Sequence, residues 1–340
     1  MTFRVRPATG EDFAAIYEMA KLTGGGFTNL PPDRATLVAK LARSEDSFSR
    51  TEDSQSDDLY VFVLEDPKAK IIRGTCQVFG QVGVRQAFYS YHLSTLTQTS
   101  PELGKTFRNQ MLTLTTDLEG SSEVGGLFLH PADRAGGVGV LLARSRYLFI
   151  RRHRALFADR TIAELRGLID EAGSSPFWDG IGAKFFGMAF RDADEFNAMH
   201  GHQFIADLMP KHPIYTAMLP DAARLAIGVP HFSGRAAMRM LEDEGFQHDR
   251  YVDIFDGGPT VSVATDAIRS VRDAVTATVT RTDIAPGETR TIVSRGSLLD
   301  FVASFGTAEP DAAGVGIDPV ATEAIGARIG DDILYILGRS

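Results

Sequence analysis

Residues 134 to 139 read Arg-Ala-Gly-Gly-Val-Gly and stand directly before a stretch with helical apolar spacing. A glycine-rich loop that opens a helix is suited to holding an anion. The first N–H groups of a helix have no partner within it, and the helix dipole places partial positive charge at the same end. The spacing restricts which anion. A dinucleotide fingerprint needs G-x-G-x-x-G/A. Counted from Gly137, its third position falls on Leu142, too large for the close helix–strand packing the motif requires. A P-loop ends in Gly-Lys-Ser/Thr, whereas this loop ends Gly139-Val140 with no lysine to reach a phosphate. What remains is a set of bare amides with one cation, Arg134, able to hold an anion.

Other reactive residue types are thinly spread. The single cysteine, Cys76, excludes an intrachain disulfide and a cysteine-based zinc site. Its neighbours Gly74-Thr-Cys-Gln-Val78 read as a strand with no base to lower the thiol pKa, so a buried structural thiol is expected. His200-Gly-His202 with His212 offers a weak metal spacing that lacks a third ligand, and no metal is expected. Arg144, Arg146, Arg151, Arg152, His153 and Arg154 concentrate positive charge behind the loop. They could face phosphates or pair with carboxylates elsewhere.

The loop needs a strand before it and a helix behind it. Glu123 to Leu129 reads as a buried strand ended by His130-Pro131. A helix is expected from about Val138 to Ala158, with Leu141, Leu142, Ser145, Leu148, Phe149 and Leu156 along one face. Thr161 to Leu165 is the next strand. Upstream, residues 3 to 5 alternate like a first strand, and a helix follows from about Glu11 to Leu22, stopped by Gly24-Gly25-Gly26. Residues 44 to 58, rich in Ser, Asp and Glu, read as an exposed loop. Tyr60–Leu64 and Ile71–Val78 form a hairpin, Tyr89 to Leu96 a further strand, and Pro176 opens a helix through Phe186. After Asp256-Gly-Gly-Pro259 short β-branched runs appear at 261–263, 275–279, 291–293 and 333–336. The expected division is a body of residues 1–260 and a small β-rich appendage of residues 261–340.

With 340 residues and 44% hydrophobic content the chain can bury a sizeable core. A formal net charge of -9 argues against nucleic-acid binding. No apolar run reaches the ~18 residues of a membrane span, and the N-terminus lacks a signal-peptide core, so a cytoplasmic protein without a membrane partner is expected.

Placed between a buried strand and an amphipathic helix, Arg134-x-x-Gly137-x-Gly139 resembles the coenzyme A pyrophosphate loop of GNAT-type N-acyltransferases. A longer series of blocks is similar to the arginine N-succinyltransferase family. It includes Lys21-Leu-Thr-Gly-Gly-Gly-Phe-Thr-Asn-Leu-Pro31, Gly120-Ser-Ser-Glu123 with Leu127-Phe-Leu129, Arg166-Gly-Leu-Ile-Asp-Glu171 and Ser175-Pro-Phe-Trp178. Met209-Pro-Lys-His-Pro-Ile-Tyr215, Leu241-Glu-Asp-Glu-Gly-Phe246 and Asp253-Ile-Phe-Asp-Gly-Gly-Pro-Thr260 continue it in the family's order, covering residues 1 to about 265.

The resemblance implies an α+β GNAT-like fold, a mixed, splayed central sheet flanked by helices, with a small C-terminal β-rich region. It implies transfer of the succinyl group of succinyl-CoA to the α-amino group of L-arginine, giving N2-succinylarginine and CoA, the first step of an arginine-degradation route. Succinyl-CoA is then a co-substrate, no cofactor is tightly bound, and a homo-oligomer is expected. Leu127 matches the family's succinyl-CoA contact, with Leu129, Arg134, Gly137 and Gly139 beside the coenzyme. His231 matches the family's proton donor, although Pro230 precedes it where the family commonly has proline after the histidine. Ornithine or another amine as acceptor, another acyl-CoA as donor, and a non-catalytic acyl-CoA-binding protein are the alternatives.

The reaction sets physical requirements. An α-ammonium must lose a proton before attack, the departing thiolate must gain one, and the oxyanion between them needs fixed donors, most simply backbone N–H groups near Leu127. Histidine, titrating near ~6.5, can serve. Glu123 is the rival group: a base acting through water, a partner for the guanidinium, or a strand-end salt bridge. Asp170, Glu171 and Asp256 are candidates to meet the guanidinium, and Arg166 and Lys211 the succinyl carboxylate. The sequence does not choose among them.

Overall fold

Leu59 to Leu64 carries no alternating polar positions, the pattern of a strand covered on both faces. In the computed structural model, which describes residues 2–23, 29–134, 136–200, 203–287 and 290–336, every residue of that run is buried. The strands in chain order are β1 (Arg4–Pro7), β2 (Leu59–Asp66), β3 (Ile71–Phe79), β4 (Ser90–Ser100), β5 (Lys105–Thr115), β6 (Ser122–Leu129), β7 (Arg160–Glu164), β8 (Ile214–Tyr215), β9 (Gln247–Val252) and β10 (Pro259–Ala264). The C-terminal region adds β11 (Val275–Arg281), β12 (Thr291–Arg295), β13 (Val302–Gly306), β14 (Ala308–Pro310), β15 (Val315–Ile317) and β16 (Asp332–Ile336).

At the centre lies the order β1-β2-β3-β6-β7-β10-β9. Its neighbours are antiparallel except β6 and β7, which run parallel. The long β4–β5 ribbon docks on β9 through Tyr91 and His92 only. At the opposite end β13 pairs with β1, so the C-terminal strands are hydrogen-bonded onto the main sheet. Residue 260, where the sequence suggests that an appendage begins, lies inside β10, which is bonded to β7 on one side and β9 on the other.

Helices cover both faces. Helix α1 (Phe13–Lys21) and α2 (Arg34–Phe48) pack Ile16, Met19, Leu37 and Leu41 against Val61, Val63 and Phe128. Helix α3 (Val138–Arg152) packs Leu141, Leu142, Leu148 and Phe149 against Phe62, Cys76 and Val78 on the other face. Cys76 is fully buried, its Sγ donates to the Leu142 carbonyl, and burial pushes the thiol up to about 12. This is the structural thiol expected.

Several boundaries differ from the sequence reading, each for a physical reason. Residues 44–48 belong to α2 rather than to a loop. Ser44 and Ser47, which read as loop residues, are buried because their hydroxyls accept from the N–H groups of Val61 and Leu59. Helix α3 stops at Arg152, and Arg154–Leu156 continues as one 3₁₀ turn. The helix opened by Pro176 is two short ones, α4 (Pro176–Gly180) and α5 (Gly182–Phe186), broken at Ile181. Strand β5 was not legible because its outer half, like that of β4, is exposed and polar.

Candidate active site

Only two positions join β6 to β7, Ser122 opposite Thr161 and Glu123 opposite Ile162. Beyond them β7 stays with β10 and β6 stays with β3, so the parallel strands part. Glu123 stands at the apex of the resulting splay.

Past the apex, β6 carries a bulge. Gly125 opposes Gln77 and Phe128 opposes Thr75, so Gly126 and Leu127 together face Cys76 alone. Gly126 is left-handed, with φ 58°, and a Cβ there would lie 2.9 Å from Gln77 Cγ and Cδ. Glycine is therefore required on two counts. The extra residue releases backbone groups from the ladder and switches strand parity. Leu127 and Leu129 pack toward the α3 core and Phe128 toward the α1–α2 core. Unbulged, Leu127 would share the face of Glu123. Arg146, buried on α3, donates to the Gly125 carbonyl at 3.3 Å and braces the bulge from below.

On the α1–α2 face, Glu123 is bonded to the Asn29 side chain, and Asn29 Oδ1 accepts from Gln77 Nε2 at 2.7 Å. Lys40, half-buried on α2, donates to the Asn29 carbonyl. Burial pushes the Glu123 carboxyl up to about 7, against the pull of Asn29 and Lys40, and burial brings the Lys40 ammonium down to about 7. A buried acid and a buried amine that both titrate near neutrality can exchange a proton at little cost.

The pair has a consequence for stability. Glu123 binds its proton more tightly when folded, so its contribution falls as pH rises from the unfolded carboxylate value of about 4.3 to about 7. Lys40 binds its proton less tightly when folded, so its contribution rises from about 7 to the unfolded amine value of about 10.4. A local minimum of thermal stability near pH 7 is expected. Melting curves across pH should show it in the wild type and a flatter profile in the Lys40→Met/Glu123→Gln double variant.

His231 lies on the other arm of the splay. Its backbone N–H donates to the Arg166 carbonyl, just past β7, at 2.8 Å. Ring Nδ1 accepts from the Ser233 N–H and lies 2.7 Å from Ser233 Oγ. That assigns the ring proton to Nε2, which makes no hydrogen bond among the described residues. Burial and then the Arg166 charge hold the imidazole below its ordinary pKa. Arg166 is half-buried, lowered chiefly by burial, and its Nε has no hydrogen-bond partner. Glu164 and Asp256 are pushed well up, first by burial and next by Asp253. Asp256 accepts from the N–H groups of Gly167 and Gly258, tying the segment after β7 to the turn before β10. Asp170, Glu171 and Lys211 are exposed, so only Asp256 and Arg166 of the substrate-pairing candidates lie beside His231's anchor.

The glycine loop sits at the far end of β6. Gly136 and Gly137 are left-handed, with φ 81° and 77°, and no atom lies within 4 Å of a Cβ added to either. Gly137 is the N-cap of α3 and Gly139 lies inside the first helical turn, where a Cβ would meet only Leu129 at 3.7 Å. The backbone requirement for glycine therefore rests on 136 and 137, and Gly139 belongs to the helix rather than the loop. Arg134 is exposed, with Nε donating to the Leu129 carbonyl at 3.3 Å. Arg290, which no sequence pattern singled out, reaches the Gly136 carbonyl from the C-terminal region at 3.3 Å. Several of the helix arginines serve the protein itself: Arg144 pairs with buried Glu244, and Arg154 with Asp159 and Asp266.

Among the described residues no His, Cys, Asp and Glu group could hold a metal ion. His202 and the Gly24–Gly26 run lie outside those residues. No helix among them is long and apolar enough to cross a membrane.

Comparison with known proteins gives a consistent result. The family model described as arginine N-succinyltransferase beta subunit matches residues 3–270. The arginine N-succinyltransferase of Citrobacter koseri is 38% identical over 333 residues, spanning 98% of this chain and 96% of that protein. That of Salmonella schwarzengrund is equally similar over the same extent. The solved structure of arginine/ornithine succinyltransferase subunit AI from Pseudomonas aeruginosa aligns with a TM-score of 0.88 at 30% identity, covering 100% of this chain and 99% of that one.

Proposed function

The chain belongs to the arginine N-succinyltransferase family, and from that premise we infer that it transfers the succinyl group of succinyl-CoA to the α-amino group of L-arginine, releasing N2-succinylarginine and CoA. One observation supports the reading above the others: the parallel pair β6–β7 opens at Glu123. Backbone groups freed at the Gly126–Leu127 bulge lie on one arm, and His231 is tied to the other.

The diphosphate of the acyl carrier rests on the amides around Gly136 and Gly137 at the head of α3, with Arg134 as its cation. The pantetheine follows β6 past Leu129 and Leu127 into the splay. The thioester carbonyl meets the bulge amides, which hold the oxyanion as it forms. Glu123 removes the ammonium proton, directly or through one water. His231, acting as the imidazolium with Nδ1–H donating to Ser233 Oγ, gives its Nε2 proton to the departing sulfur. The carbon–nitrogen bond forms first, giving the oxyanion adduct. The adduct nitrogen then loses its second proton as the carbon–sulfur bond breaks, which balances the proton given to the thiolate, and the proton first taken from the ammonium by Glu123 passes to solvent. Buried carboxyls at Glu164 and Asp256 favour a cationic acceptor on the β7 side.

A free-thiol assay with succinyl-CoA tests this reading. CoA release that requires L-arginine, with the mass of succinylarginine as product, is the expected result. Release independent of arginine, or calorimetric CoA binding without turnover, overturns it. Ornithine belongs in the same assay, because the Pseudomonas relative is described as acting on both amino acids.

The remaining parts of the proposal concern the whole protein. The coenzyme is a co-substrate and no cofactor stays bound. The chain through the end of β10 carries the chemistry, a few residues past the division at 260 that the sequence suggests, and the β-rich region that follows reaches the anion loop through Arg290. The protein works in the cytoplasm as a homo-oligomer, a reading supported by relatives described as subunits and by the exposed Leu103 and Phe107 of the β4–β5 ribbon.

A further inference from the structure

We propose that Lys40 is the cation that reads the terminal carboxylate of the acyl group, and so selects succinyl-CoA over acyl-CoA donors without a charge. The inference rests on the acyl-transfer reading above and adds a subsite to it.

Three observations converge on Lys40. The first is position. A small cavity of about 10 Å³ lies between the α1–α2 layer and the sheet, and Lys40, Asn29, Gln77, Thr75 and the bulge residue Gly126 line it together. A space of that size holds about one water. The lysine, from the helix layer, and the bulge, from the sheet, thus border the same cavity, whose remaining lining includes Leu37, Leu41 and Val61. An acyl group whose carbonyl meets the bulge carries its carboxylate only two methylenes further on, into the surroundings of that cavity. Entry of the carboxylate moves the flexible lysine stem.

The second is unfinished bonding. An ammonium has three donors, and Lys40 uses one, on the Asn29 carbonyl, among the described residues. Glu123, the carboxyl whose charge acts on it, forms no ion pair with it within 4.0 Å among the described residues and is bonded to Asn29 instead. The third is charge. Burial costs the Lys40 ammonium more than Glu123 returns, which leaves it at about 7 and short of one negative charge. A succinyl carboxylate supplies that charge and accepts the two spare N–H groups. Arg166 lies on the β7 arm with His231, and Arg146 is committed from the α3 side to the Gly125 and Ala143 carbonyls. Lys211 is exposed.

The test compares succinyl-CoA with butyryl-CoA, which has the same chain length and no carboxylate, in wild type, Lys40→Met and Lys40→Arg. A charge-assisted hydrogen bond to a buried carboxylate is worth roughly a 10- to 100-fold factor. In Lys40→Met, the ratio of kcat/KM for succinyl-CoA to that for butyryl-CoA is expected to fall by that amount, whatever common loss the shifted Glu123 titration imposes on both donors. Lys40→Arg, which keeps the charge, should retain most of the preference. Equal losses for both donors in Lys40→Met, or an unchanged preference, overturn the assignment and leave the succinyl-transfer reading standing. A wild-type enzyme that prefers butyryl-CoA strikes the transfer reading itself.

Discussion

His231→Ala is expected to lower kcat for succinyl transfer by about 10²- to 10⁴-fold, the usual span for a lost general acid, with little change in the KM for succinyl-CoA. The ring is anchored for this task. Nδ1 is occupied by Ser233, so the mobile proton sits on Nε2, and the backbone N–H is fixed to the Arg166 carbonyl at the end of β7. Alanine preserves that backbone bond, and a half-buried ring contributes little packing. Thermal stability should therefore stay near wild type. Arg166 and burial depress the imidazole, making its protonated form a stronger acid toward the leaving thiolate. The readout that separates proton donation from a merely structural role is the pH profile. The alkaline decline of kcat, which in the wild type reflects loss of the donor's proton, should disappear in the variant. An alanine variant with unchanged kcat would end the assignment.

Glu123→Gln carries the second large effect, a fall of about 10²- to 10⁴-fold in kcat/KM for arginine. Glutamine keeps the size of the side chain and can still bond Asn29, so the apex of the splay should hold. What it cannot do is accept a proton. Glu123 is pushed up to about 7, which places a base of suitable strength beside an α-ammonium at working pH. As a base it must be deprotonated while His231 must be protonated, so wild-type kcat/KM should be bell-shaped in pH, and Glu123→Gln should lose its rising limb. Because Glu123 is influenced by Lys40, the observed midpoint belongs to the pair, and Lys40→Met should move it upward by removing a positive neighbour. A glutamine variant that keeps both the rate and the rising limb would reduce Glu123 to a strand-end brace.

Residues 134–139 show where sequence reading is strong. A strand, a glycine run and an amphipathic helix in succession specify a helix opened by glycine, and Gly137 is indeed the N-cap of α3. The same residues show where it weakens. Gly139 counted in the motif but lies within the helix, while Gly136, which the spacing did not weight, has the left-handed backbone. Serines 44 and 47 misled in the opposite direction. Polar residues usually mark exposed segments, but here each hydroxyl bonds an N–H of β2, so both are buried within α2.

The local pattern of apolar, glycine and proline residues by itself determined most strands, α1, α3, the anion loop and, through the resemblance, the class of reaction. These are near-neighbour properties, set by backbone propensity and by periods of two and 3.6 residues. Only tertiary structure decided where β6 and β7 part, and that Leu127 turns away from the face of Glu123. It also decided that Lys40 and Gln77, from α2 and β3, both bond Asn29, which in turn bonds Glu123. A strand bulge depends on register with the neighbouring strand, and a shifted pKa depends on what excludes water around the group. Both arise between segments far apart in the chain, which is why neither was written in any one of them.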